Sequence, residues 1–109
     1  MEKWVLVVRS KCIDRLREDE FNNWYNKFHL PDILATPGFV SARRFMNPDF
    51  SAFGGGKYLA IYDIETDDIN QTIAAIRANV VKTIKDGRYT DLINETYVAL
   101  YRQITSLTK

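Results

Sequence analysis

The features that usually announce a particular chemistry are scarce in this chain of 109 residues. Cys12 is the one cysteine, so an intrachain disulfide and a thiolate zinc site are both excluded, and the thiol has no flanking histidine to activate it. Neither charge sign dominates: 15 basic and 14 acidic side chains leave a formal charge of +1. No block of like charge stands out, and no nucleic-acid partner is expected. Long apolar runs are missing too. The opening segment Met1–Arg9 is too short in apolar residues for a signal peptide or a membrane span, so the expectation is a cytoplasmic protein without a membrane partner. Gly54-Gly55-Gly56-Lys57 fails as a phosphate loop, because Tyr58 stands where Ser or Thr is required and a strand pattern follows in place of a helix. No serine sits in a nucleophile elbow. Asn70-Gln71-Thr72 and Asn94-Glu95-Thr96 match the glycosylation acceptor only by chance.

What remains is a single α+β domain over 1–109, unusually rich in aromatics at 13%. Lys3 to Ser10 has the composition of a buried strand, with a connection through Lys11–Arg17. Glu18, Asp19 and Glu20 then place negative charge in a first helical turn. Phe21, Trp24, Tyr25 and Phe28 follow at helical spacing, giving one apolar face. Pro31 predicts a break or kink near His29–Leu30, with a short turn through Asp32–Ala35. Pro37-Gly38 marks a turn before a second strand, Phe39–Met46. Asn47–Gly56 reads as a hairpin loop, and Lys57–Ile64 as the third strand. Thr66, Asp67 or Asp68 caps a second helix with the stripe Ile69, Ile73, Ile76, Val80, Ile84 and Val81 alongside. Asp86-Gly87 ends it, Arg88–Glu95 can form a short extra turn, and Thr96–Ile104 is the fourth strand. The order is βαββαβ: a ferredoxin-like fold, a four-stranded antiparallel sheet with both helices on one face.

Two helices shield one side of a sheet, yet the strands are apolar on both. Tyr58, Ala60, Tyr62 and Ile64 alternate with Leu59 and Ile61; Tyr97, Ala99 and Tyr101 alternate with Val98 and Leu100. A half-wet antiparallel sheet carries polar residues on its open face. The expected cover is a second copy packed face to face, that is, a homodimer. Tyr58, Tyr62, Tyr97 and Tyr101 are read here as one alternating set, lining a pocket or packing as core with their hydroxyls at the rim.

The run Trp24-Tyr25, His29-Leu30-Pro31-Asp32, Pro37-Gly38-Phe39 and Ala42-Arg43-Arg44-Phe45 resembles the dimeric α+β barrel superfamily, and within it the EthD-like proteins. The resemblance is strongest over Glu20–Phe45. It implies a homodimer with a pocket in each subunit between sheet and helices. It also implies chemistry on small organic compounds drawn from a range that includes cofactor-independent monooxygenases, polyketide cyclases, lactone isomerases and haem-modifying enzymes. The histidine of the family's helix-end motif falls on His29. A chain with one histidine disfavours the multi-histidine metal sites and histidine-pair mechanisms of other members.

His29 is the leading catalytic candidate. It is expected at a helix C-terminus, where the dipole favours imidazolium, with Asp32 near enough to receive a ring N–H; both would favour protonation. Trp24, Tyr25, Arg44, Tyr62 and Tyr101 are the candidate ligand-binding residues. Arg43 and Arg44 point to opposite faces of their strand, so one of them can meet a carboxylate or enolate oxygen. No metal and no cofactor is expected. The function these residues favour is proton-transfer chemistry (isomerisation, cyclisation, dehydration or decarboxylation) on a small apolar oxygenated compound. The alternatives are a non-catalytic ligand-binding or accessory dimer, and oxygen or haem chemistry with His29 as axial ligand.

Overall fold

The computed structural model describes residues 1–49 and 56–109. Its strands are β1 (Glu2–Cys12), β2 (Phe39–Met46), β3 (Tyr58–Thr66) and β4 (Ile93–Arg102). They form one antiparallel sheet in the order β2-β3-β1-β4. This is the ferredoxin-like arrangement. Most of the hairpin loop expected over 47–56, with Gly54 and Gly55 of the rejected phosphate loop, lies outside the described residues. Asn47 N–H nevertheless donates to the Lys57 carbonyl at 2.8 Å, so the two strand ends meet.

The first helical segment departs from the sequence reading. Asp14 caps a short 3₁₀ turn (Arg15–Arg17) by accepting from the Leu16 N–H. Helix α1 (Glu18–Trp24) then runs through a π-helical turn (Tyr25–His29) into α2 (Leu30–Leu34). Pro31 neither breaks nor ends it. The Leu30 N–H reaches back five residues to the Tyr25 carbonyl, and this wide turn makes room at the point where the proline ring and its missing N–H would disrupt a regular helix. The π turn also changes which side chains are buried. Phe21, Tyr25, His29 and Ile33 all lie in the interior, spaced by four. A regular helix would drift by about 120° over those twelve residues; the wide turn absorbs that drift. Phe28, expected on the apolar face, is instead 42% exposed.

Pro37-Gly38 makes the expected turn. Gly38 has φ +94°, which favours glycine, and a Cβ there would also crowd the Thr72 side chain at 3.2 Å. Helix α3 (Ile69–Lys85) is capped by Asp68, whose carboxylate accepts from the N–H groups of Asn70 and Gln71. Gly87, at φ +71°, ends it. The expected apolar stripe of α3 is only partly buried. Ile76 is in the core and Ile69 and Val80 pack against it, but Val81 and Ile84 are exposed.

Both helical layers pack on one side of the sheet. Phe21, Tyr25, Ile33 and Ile76 share a core with Val8, Tyr58, Ala60, Tyr62 and Ile64. The register corrects the expected set of four tyrosines. Leu6 pairs with Tyr62 on one side and with Leu100 on the other, so Leu100, and not Tyr101, shares the helix-covered face with Tyr62. Tyr97 and Tyr101 lie on the open face, their hydroxyls hydrogen-bonded to each other. Alternation within a strand cannot reveal this, because parity between β3 and β4 is transmitted through β1. The open face carries Val5, Val7, Leu59, Ile61 and Ala99, with Phe45 and the two tyrosines at its flanks.

Candidate functional site

Helix α3 stands away from β1 and β4, and a cavity of about 630 Å³ opens between them. Leu6, Val8, Ile33, Ile73, Ile76, Val80, Val98 and Leu100 make it largely apolar; His29, Tyr62, Arg77, Tyr89 and Glu95 are its polar lining.

His29 is 7% exposed. Its imidazole lies flat against the Trp24 indole, with centroids 4.7 Å apart. The rings of Tyr25 and Tyr89 meet it edge-on at 4.8 and 5.5 Å. Among the described residues no group hydrogen-bonds its ring nitrogens. Burial pushes its pKa down to about 4, outweighing the upward pull of Asp32, and Arg44 adds a smaller downward push. The expectation of a proton-favouring environment is therefore reversed: at neutral pH the imidazole is uncharged. The reason is the π turn, which carries His29 into the core rather than leaving it at an exposed helix end.

Asp32 does not receive a proton from His29. Its carboxylate is held by Arg88, whose Nε and guanidinium NH2 group each donate at 2.9 Å. This pair fastens α2 to the segment after α3, and Trp24 Nε1 reinforces it by donating to the Arg88 carbonyl at 2.7 Å.

Tyr62 lines the cavity and is 1% exposed. Its hydroxyl and that of fully buried Tyr25 have no hydrogen-bond partner among the described residues. The two hydroxyls influence each other electrostatically without meeting hydrogen-bond geometry, and burial, the largest cause, pushes both phenol pKa values up. They are neutral donors. Arg44 lies behind Tyr25, its guanidinium carbon 4.1 Å from the ring centroid. It donates to Asn26 Oδ1 at 2.8 Å and to Asn22 Oδ1 at 3.0 Å. Among the described residues no carboxylate balances this half-buried cation; amides and aromatic faces do.

The structure thus brings His29 and Tyr62 to one cavity. It puts Trp24 and Tyr25 behind His29, and Arg44 behind Tyr25. Asp32 is tied to Arg88, and Tyr101, half exposed, is on the other side of the sheet. Three lining residues escaped the sequence reading. Tyr89 donates to Glu95 Oε1 at 3.2 Å. Glu95 faces the cavity because β4 carries a bulge opposite Arg9/Ser10, pairing Arg9 with Tyr97 and Ser10 with Glu95. Arg77 had a legible signal: it interrupts an aliphatic row, with Ile73 four residues before it and Val81 four after.

Neither the comparison with protein-family models nor that with curated proteins gives a match. Solved structures do match, and at the level of the fold. A candidate monooxygenase from Shewanella loihica PV-4 is 17% identical, covers 97% of this chain and 99% of its own, and superposes with a TM-score of 0.62. An MhuD mutant holding two manganese protoporphyrin IX molecules per active site is 10% identical, with 97% and 99% covered and a TM-score of 0.71. An ethyl tert-butyl ether degradation (EthD) family protein from Bacillus halodurans C-125 is 16% identical, with 95% and 100% covered and a TM-score of 0.56. The chain has the fold of these proteins, in agreement with the resemblance read from Glu20–Phe45. Among the described residues no helix is long and apolar enough to cross a membrane.

Proposed function

We propose that this chain binds a small, largely apolar, oxygenated compound in the cavity between α3 and the sheet and moves a proton on it. The observation that carries this reading is that an uncharged His29 and Tyr62, whose buried hydroxyl has no hydrogen-bond partner among the described residues, line one largely apolar cavity. A buried neutral imidazole can take a proton from carbon next to a carbonyl. A buried phenol can donate to the oxygen that gains charge as it does so. The proton returns from His29 at the same carbon or another, so exchange and isomerisation follow from one arrangement. Asp32 has no part in this.

The open sheet face fits a second copy of the chain. Val5, Val7, Leu59, Ile61 and Ala99 form a contiguous apolar surface, and an area of that kind is rarely left to water. The homodimer remains our proposal for its cover.

The test is hydrogen–deuterium exchange by NMR in heavy water, using a panel of small apolar ketones and lactones. Wild-type protein should speed exchange at the carbon next to the carbonyl, and His29→Gln should lose about 10²-fold or more. Equal rates would remove His29 from the reaction, and binding without exchange selects the ligand-binding alternative. A Soret band on titration with haem would select the haem reading, for which the uncharged His29 is in the ligating form and the MhuD structure is a fold-level precedent.

A further inference from the structure

Arg77 is the feature of the cavity that proton transfer leaves unused. It lies midway along α3, in the row Ile73–Arg77–Val81 that faces the cavity. That row runs about 12 Å along the helix at 1.5 Å per residue. Its guanidinium has no ion pair or hydrogen bond among the described residues. The other described arginine on the helix side of the sheet next to the core, Arg44, is committed to Asn22 and Asn26. The one carboxylate among the described lining residues, Glu95, accepts from Tyr89. Arg77 comes from α3, between Ile73 and Val81, whereas His29, Tyr62, Tyr89 and Glu95 come from the π turn, β3, the segment after α3 and β4.

We infer that the ligand is an amphipathic monoanion, an apolar carboxylic acid, whose carboxylate is held by Arg77 while its chain lies against Ile73, Val81, Val98 and Leu100. This rests on the ligand-cavity reading above and narrows it. An arginine fork suits a carboxylate in particular, because two N–H groups can meet two oxygens. The aliphatic wall suits a hydrocarbon body rather than a sugar or a nucleotide.

Calorimetric titration with decanoate, decanol and decylamine, kept below micelle-forming concentrations, tests the assignment. Decanoate should bind about tenfold tighter than either of the others. Arg77→Gln should bring decanoate down to the decanol value and leave decanol unchanged; Arg77→Lys should keep part of the preference. The residue is exposed, so neither variant should disturb folding, and circular dichroism checks this. Equal binding of decanoate and decanol to the wild type overturns the carboxylate assignment and leaves the cavity reading standing. Failure of both to bind overturns the two together.

Discussion

The imidazole of His29 rests on the indole of Trp24 with the ring planes 19° from parallel, at a cavity-wall position where burial keeps the one histidine of the chain uncharged. The stack depends on the π turn, since a regular helix would rotate position 29 away from the line of Phe21 and Tyr25.

A stability profile should show this directly. The His29 imidazole is pushed down to about 4 when folded, from the ordinary 6.5, chiefly by burial. Between those values the unfolded chain binds a proton that the folded chain refuses. Stability is therefore whole above about pH 6.5 and falls as the pH is lowered toward 4, by up to about 3 kcal/mol. Urea unfolding at intervals from pH 7 to pH 4.5 measures it. The window lies above that of Glu18, whose carboxyl is held below 4.5 mainly by its hydrogen bond to Lys57. His29→Phe should flatten the profile in the upper window, and a wild-type profile already flat there would contradict the buried neutral imidazole.

Tyr62→Phe separates function from folding. Its hydroxyl has no hydrogen-bond partner among the described residues, so the folded protein bears a desolvation cost without a compensating bond. Removing the hydroxyl should raise stability by about 1 kcal/mol. If the hydroxyl donates to substrate oxygen, the same change should slow proton exchange by about 10²-fold. Thermal unfolding and the heavy-water assay read the two effects, which go in opposite directions. A stability loss without a change in exchange would mean that the hydroxyl serves only the fold.

Asp32→Asn should have the complementary outcome. The bidentate bond to Arg88 is lost, so unfolding should come slightly earlier at low salt and approach the wild type at high salt, as for a partly exposed pair. Proton exchange should stay within about twofold of wild type. A large loss of exchange with unchanged stability would restore the catalytic part that the sequence suggested for this carboxylate.

The fold was readable because its signals are local. Acidic residues in the first turn of α1, Pro37-Gly38 before β2 and Asp68 ahead of α3 each act within a few residues of the structure they specify. The site was less readable because its determinants are relational. Pro31 signals a helix break when read alone, and the relief provided by a wide turn six residues earlier depends on packing Tyr25 and His29 together. Glu95 faces the cavity only because a bulge shifts β4 against β1. Tyr62 and Tyr101 look equivalent until two strand registers are known. His29 and Tyr62 were found because they are unusual residues on apolar elements. Arg77 was missed because the eye follows the apolar positions of a stripe and passes over the charge that interrupts it.

The open face of the sheet provides the last test. Val7 and Ile61 are directly opposite each other on β1 and β3, the two inner strands, so they mark its centre. The face-to-face dimer predicts that wild-type protein sediments at twice the chain mass at micromolar concentration, and that Val7→Glu sediments as a single copy. A charge at this position points away from the core that holds Val8, Tyr25 and Tyr62, so the variant should keep wild-type secondary structure and its cavity. Burying an unpaired carboxylate in the dimer costs several kcal/mol per copy, more than most interfaces can absorb at one position. A wild-type chain that sediments as a monomer would leave Val5, Val7, Leu59 and Ile61 facing water, and the case for a second copy would fail there.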